Sequence, residues 1–442
     1  MMGFKASSLI LASVAVVAMT SGCGSSSNSS GGASSSGTSS AASSSSGTPS
    51  SGSAGGTAGG APANIATLQS YVGAKGKANK APITIGYVNL QGGEPSAPEA
   101  YQAAQAATAA LNNDLGGIQG HQVKLEACHI VSSEEQGQEC GQQLVNDPTV
   151  KLVITGAVQI GADALHHTIG GRLPTISGVP LNVSDVTSPN AFALNAGLFG
   201  STPGEVTYAV KTLHAKKVAV IGATDDPAAV RAVSTTIAAL KAAGVQATRA
   251  GFPQTATDVV APLEAANVAS ADAIIAIVIT PPTVIATAKA LVQLGVKAPV
   301  LGIGSVLTPQ VQSGLGDFPK WTYNFVSLNP AVPDADGQIA AYAGVMKKYQ
   351  PSAPLAGDST FTFGAFMTTA KILNSMKGAL TTANIAAAFK AFTGPGYLDP
   401  PNYKFGSIPI GPGLGSLESR FYTYSGSNHW SDATAGKWIG PS

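Results

Sequence analysis

Short apolar, β-branched runs alternate with helix-length stretches along most of this 442-residue chain, and no other feature restricts its fold as tightly. ITIGYV, residues 83–88, is followed by a loop and then by an alanine-rich stretch from Glu99 to Asn113, which reads strand, loop, helix. The pattern recurs: Val123 to Val131 and Ser133 to Asn146 read as strand and helix, Leu152 to Thr155 and Gly161 to Ile169 likewise, and Pro174 to Ser177 as strand. After Phe192 to Ala196 a second series begins with helix Thr202 to Leu213, strand Lys217 to Gly222, helix Pro227 to Ala243 and strand Val245 to Gly251. It continues through helix Asp258 to Asn267, strand Ala273 to Ile279, helix Pro282 to Leu294 and strand Pro299 to Leu301. Strands separated by helices of that length call for parallel sheets with helices on both faces. The unbroken apolar runs VAVIGA (218–223) and AIIAIVI (273–279) fit strands buried on both sides.

A body from about Ala81 to Ser442 is longer than one hydrophobic core usually serves, so two similar α/β lobes are expected. The chain crosses between them near Leu194 and again near Phe325 to Leu328. Beyond the second crossing lie helix candidates Gly337 to Tyr349, Thr360 to Met376 and Thr382 to Phe392, then a Gly/Pro-rich stretch from Gly394 to Gly415 and a β-like tail, Arg420 to Tyr424. The formal charge is +1, only 11% of residues are charged and there is no basic run, which argues against a nucleic-acid partner.

The first residues follow a different logic. One lysine and the terminal amine precede an uncharged apolar segment, Ala6 to Met19, which is too short for a resident membrane span and reads as an export signal. Thr20-Ser21-Gly22-Cys23 resembles the lipobox of bacterial lipoproteins, with Thr20 where an aliphatic residue is usual. That resemblance implies a lipidated Cys23 as the first mature residue; the other reading is an ordinary cleaved signal with a free cysteine nearby. From Gly24 to Pro62 the chain is almost entirely Ser, Gly, Ala and Thr, which cannot recover its ordering entropy and is expected to act as a flexible tether. About 40 such residues reach roughly 35 Å as a coil and about 130 Å at full stretch. Cys128 and Cys140 then remain as the one leftover pair in an exported chain, a disulfide candidate, with two buried thiols as the alternative.

The body resembles the solute-binding proteins of the branched-chain amino acid type that serve ABC importers, with the class I periplasmic-binding-protein fold. The residues that carry the resemblance are ITIGYVNLQGGEPS (83–96), QGHQVKLEACHIVSSEEQGQECGQQLVND (119–147), KLVITGAV (151–158) and KKVAVIGATDD (216–226), in that order and spacing. It implies two Rossmann-like lobes with parallel sheets joined by a multi-strand hinge. It also implies a disulfide from the second strand to the helix after it, where Cys128 and Cys140 stand. The implied division is a signal over 1–22, a lipidated cysteine and disordered tether over 23–80, lobe I over 81–194 and 327–400, and lobe II over 195–326 and 401–442.

Ligands of open parallel sheets bind beyond the carboxyl ends of the strands, and two lobes facing one another there form a cleft able to close by hinge motion. The loops so placed are Gln91 to Ser96, Gly156 to Gly161 and Ser177 to Asn182 in lobe I, with Thr224 to Asp226, Thr280 to Pro282 and Gly304 to Val306 in lobe II. Within them Gln91, Glu94, Ala157, Gln159, Ser177, Val179, Asp225, Thr280 and Ser305 are the candidate ligand-binding residues. The resemblance implies hydroxyls and backbone N–H groups for an α-carboxylate, and second-lobe tyrosines and an acid for an ammonium. Here Gly156, Ala157 and Val158 bring no hydroxyl, and Asp225-Asp226-Pro227 and Pro281-Pro282 stand where aromatics are common. Glu94, Asp225 and Asp226 suit a cationic or amine-bearing ligand, although Asp226 before Pro227 also fits an ordinary helix cap. Tyr101 reads as core rather than as binding wall.

Nothing in the chain argues for catalysis. There is no G-x-S-x-G, and Gly302-Ile303-Gly304-Ser305 lacks the final glycine. His166 and His167 are adjacent and so point apart on a helix, unable to clamp one metal; His121, His129, His214 and His429 are isolated. GPGLGS, 411–416, has no strand before it or helix after it to make a phosphate loop. The expectation is therefore an extracytoplasmic receptor, without metal or cofactor, that carries a small polar solute to an ABC permease from a lipid anchor in the membrane. The alternative is a tethered sensor read by a signalling partner.

Overall fold

The structure, a computed structural model, describes residues 65–93, 96–307, 309–315, 321–355 and 357–441. The signal, Cys23 and most of the tether lie outside them.

In the first lobe β1 (Lys80–Leu90), β2 (His121–Ile130), β3 (Val150–Thr155), β4 (Thr175–Ser177) and β5 (Ala191–Ala193) form an all-parallel sheet in the order β2-β1-β3-β4-β5. Successive side chains of a strand face opposite ways, and β1 shows it. Ile83, Ile85 and Tyr87 join one core, while Val88 and Leu90 join the other. The first core is closed by α2 (Pro98–Asn113) together with three helices that arrive from far along the chain, α11 (Gln338–Tyr349), α12 (Gly357–Ser375) and α13 (Thr382–Ala391). The second is closed by α3 (Glu134–Asn146) and α4 (Ala162–Ile169), beyond which comes the single turn α5 (Ser184–Thr187). Ser133 starts α3 with a reciprocal capping box to Gln136, which fixes where strand gives way to helix.

The second lobe begins with α6 (Gly197–Thr207), which runs into a π-helical turn, Tyr208–Thr212. Then β6 (Lys217–Ala223), α7 (Pro227–Ala242), β7 (Gln246–Phe252), α8 (Val260–Ala265), β8 (Ala273–Ile277), α9 (Pro281–Gln293), β9 (Val300–Ile303), α10 (Pro309–Leu315) and β10 (Trp321–Phe325) follow. With β11 (Arg420–Tyr424) and β12 (Trp430–Asp432) they make a sheet ordered β12-β11-β10-β9-β8-β6-β7, antiparallel only where β10 meets β11 and β11 meets β12. VAVIGA is buried on both faces as expected, Val218 and Val220 in one core and Ala219 and Ile221 in the other.

Three boundaries differ from the sequence reading. The tether does not extend to residue 80, because α1 (Ile65–Val72) packs Leu68 and Val72 into the lobe I core. Only two buried positions spaced i, i+4 mark this helix, too weak a period to stand out beside a Ser/Gly-rich stretch. The helix expected from Thr202 begins five residues earlier, at Gly197. The third is the return to lobe II, which comes after residue 417 rather than at 401. Tyr403 donates to the Leu194 carbonyl at 2.7 Å, Leu414 pairs with Ala193, and both Tyr403 and Leu414 are buried against lobe I residues. A Gly/Pro-rich segment carries no periodicity, so its attachment is set by its few aromatic side chains.

Cys128 on β2 and Cys140 on α3 are joined, with Cα atoms 5.6 Å apart. The bridge closes a loop for which chain entropy gives roughly 3 kcal/mol. Cys128→Ser is expected to cost about that much, read as faster amide exchange in β2 and α3; unchanged exchange there would show the bridge to be thermodynamically idle.

Candidate functional site

The carboxyl ends of β1, β3 and β4 carry the three lobe I loops, which side chains lock to one another. Asn89, fully buried, donates from Nδ2 to the Ala97 carbonyl at 2.7 Å and accepts the Ala157 N–H on Oδ1 at 3.2 Å. Asn182 Nδ2 donates to the Val158 carbonyl at 2.9 Å. Asp185 accepts the N–H groups of Leu181 and Asn182 on Oδ2 at 2.9 and 2.8 Å, and its Oδ1 is hydrogen-bonded to His166 Nε2 at 3.0 Å. Both partners of that last pair are 2% exposed, so His166 is a buried brace of the cleft loop. Gly156 is required by the same packing: a Cβ there would lie 2.4 Å from Tyr87 Oη and 2.6 Å from Asn89 Oδ1.

In lobe II the loops after β6 and β8 are tied through one residue. Asp225, exposed, accepts the Gln254 N–H on Oδ1 at 2.9 Å, and Thr280 Oγ1 donates to the Gln254 carbonyl at 3.0 Å and lies 2.7 Å from Thr283 Oγ1. Both sequence candidates thus spend hydrogen-bonding capacity on the framework. Ser305 falls in the short turn Gly304–Val306 after β9, and Gly304 leaves room there for the Phe325 ring, 2.4 Å from where its Cβ would be.

A pocket of about 40 Å³ opens where lobe I, lobe II and the crossing segments meet. Val179 and Leu181 come from the loop after β4, Leu198 from α6, Ile303 from the end of β9, Phe325 from the end of β10 and Phe361 from α12. Ser201 and Asn324 supply the polar side chains. Ser201 Oγ is used within its own helix, donating to the Leu198 carbonyl. Asn324, 2% exposed, donates from Nδ2 to the Ser201 carbonyl and to Ser419 Oγ at 3.1 and 3.0 Å, and its Oδ1 has no partner.

Of the sequence candidates among the described residues, only Val179 is seen to line this pocket. Ser177 is 1% exposed with its Oγ unpartnered, and Gln91 Oε1 is likewise buried without a partner. Ala157 is buried and serves through its backbone, Gln159 is exposed, and Glu94 lies outside the described residues. Leu198, Asn324, Phe325 and Phe361 went unnoticed as wall. The crossing near Phe325 is visible in the sequence as a hinge, but nothing local says that its side chains line the cleft.

Several acids nearby are held toward the neutral form. Burial pushes Glu205 on α6 up to about 8, with neither carboxyl oxygen hydrogen-bonded. Asp399 is pushed well up by burial, against a weaker pull from the Asn195 hydrogen bond. Asp358, part of whose surface stays accessible, rises to about 7 through desolvation and then through Glu99. Among the described residues no group of three His, Cys, Asp or Glu side chains is placed to hold a metal. The arrangement can bind and enclose; among the described residues it offers no nucleophile paired with a base.

A family model described as periplasmic binding protein matches residues 82–406. No curated protein sequence matches. Among solved structures the chain is similar to a leucine-binding protein from Thermotoga maritima, with TM-score 0.64, 15% identity and coverage of 81% of this chain and 99% of that one. A fatty acid ABC transporter substrate-binding protein from Thermomonospora curvata gives TM-score 0.65 and 16% identity over 83% and 95%. A solute-binding protein from R. palustris in complex with 4-hydroxybenzoate gives 0.60 and 16% over 81% and 95%.

Proposed function

Because this chain belongs to the periplasmic binding protein family, whose members bind solutes rather than transform them, we propose that it captures one small molecule between its lobes and delivers it to an ABC importer. The observation that carries the reading is the pocket at the crossings, whose walls come from both lobes, so that an occupant there favours the closed form. Such proteins work outside the cytoplasmic membrane, and no helix among the described residues is long and apolar enough to cross one. The proposal places the body on a lipid anchor at Cys23 through the Ser/Gly-rich segment, facing a membrane permease.

Two measurements test it. A ligand at a hundredfold excess over its Kd stabilises the fold by about 2.7 kcal/mol, so a thermal-shift screen of a broad solute library should give a clear hit, with the particle contracting in solution scattering. A library without a hit, or a hit that is chemically converted, overturns the receptor reading. For the anchor, metabolic labelling with a palmitate analogue should mark the protein and fail on Cys23→Ala; label retained by the variant would remove the lipoprotein reading.

A further inference from the structure

We infer, resting on the receptor reading above, that the solute is a small, predominantly apolar molecule with an uncharged hydrogen-bond donor such as a hydroxyl or amide, and that its apolar end occupies the pocket at the crossings. The walls are mostly hydrocarbon from five separate parts of the chain, Val179 and Leu181, Leu198, Ile303, Phe325 and Phe361. A single water needs about 10–15 Å³ of such space, so about 40 Å³ accepts a branched alkyl end or one edge of a ring. An apolar occupant gains from leaving water there, and water itself finds few partners.

An unpartnered polar atom in the wall residues sets the rest of the chemistry. The Ser201 carbonyl can only accept, which fixes the Asn324 amide with Nδ2 toward it and leaves Oδ1 a buried acceptor without a partner, which a ligand donor would satisfy. Among the described residues no Lys, Arg, His, Asp or Glu lines the pocket. An ammonium or carboxylate drawn into it would be desolvated without a counter-charge, which costs more than burying an alkyl group returns. The loop after β3 cannot add a side chain at Gly156, since Tyr87 Oη and Asn89 Oδ1 fill the space it would need. The Asp225 carboxylate is exposed on the lobe II rim and already holds Gln254.

The test is calorimetric titration of the intact protein with matched pairs, leucine against isocaproamide and phenylalanine against hydrocinnamamide. Each amide keeps the amino acid's apolar end and lacks its charges. At least one amide is expected to bind on the order of a hundredfold more tightly than its amino-acid partner. Leu198→Trp, which fills the pocket, should weaken that binding at least tenfold; Leu181→Trp, from the facing loop, replaces it if Leu198→Trp lowers the melting temperature. Tighter binding of either amino acid than of its amide, or unchanged amide affinity in a folded pocket-filling variant, overturns the inference while leaving the receptor reading intact. The same holds if neither amide binds while sugars or polyamines contract the particle. If no solute of any class contracts it, the receptor reading itself has failed.

Discussion

Glu205→Gln is expected to stabilise the protein near pH 8 by up to about 5 kcal/mol and to leave it nearly unchanged near pH 5. The native carboxyl is fully buried, neither oxygen is hydrogen-bonded, and its pKa is raised from 4.5 to about 8. Below the unfolded value both states are protonated and the group adds no pH dependence. Between 4.5 and about 8 the unfolded chain releases the proton while the native state keeps it, so native stability falls as pH rises through that window. Above it the buried carboxylate is charged and the full penalty stands. Glutamine keeps the shape without the charge and should flatten this part of the curve. Asp399 and Asp358 are shifted in the same direction, so the variant removes part of the slope and not all of it. Denaturant unfolding across this pH range decides the matter; parallel profiles for wild type and variant would show that Glu205 is not the source.

The second large effect is expected of Asp185→Ala, at about 3–5 kcal/mol of lost stability together with weakened ligand capture. The carboxylate serves two backbone N–H groups of the cleft loop and the His166 ring, all within 3.0 Å. Removing it strands a buried imidazole and frees the segment that carries Val179 and Leu181 into the pocket. Amide exchange should quicken at Leu181 and Asn182 first, since their N–H groups lose their acceptors. A variant that melts like wild type, with both amides still protected, would show the brace to be dispensable.

The alternation of apolar runs and helices was enough to locate most strands of both sheets, because strand and helix periods are local, but β10 (Trp321–Phe325) was read only as part of a crossing. It was also enough to set Cys128 on a strand and Cys140 on the next helix. Short elements escaped: α1 and α5 have eight and four residues, and β12 has three, too few to repeat a pattern. The loops at the strand ends were found for the same local reason, but not which of their side chains are free.

That freedom depends on neighbours far along the chain. Asp225 reads as an available acid until Gln254, 29 residues away, is seen to occupy it, while Ser177 keeps an unused hydroxyl. The pocket brings together Val179, Leu198, Asn324 and Phe361, which share no sequence pattern because they belong to a loop, a helix start, the end of an interior strand at a crossing and a helix of the opposite lobe. Sequence alone determined the two layered α/β lobes, since each strand and helix announces its own buried face. Only the tertiary structure decided what the cleft presents to a solute, because burial and hydrogen-bond satisfaction are properties of contacts between segments and not of any one of them.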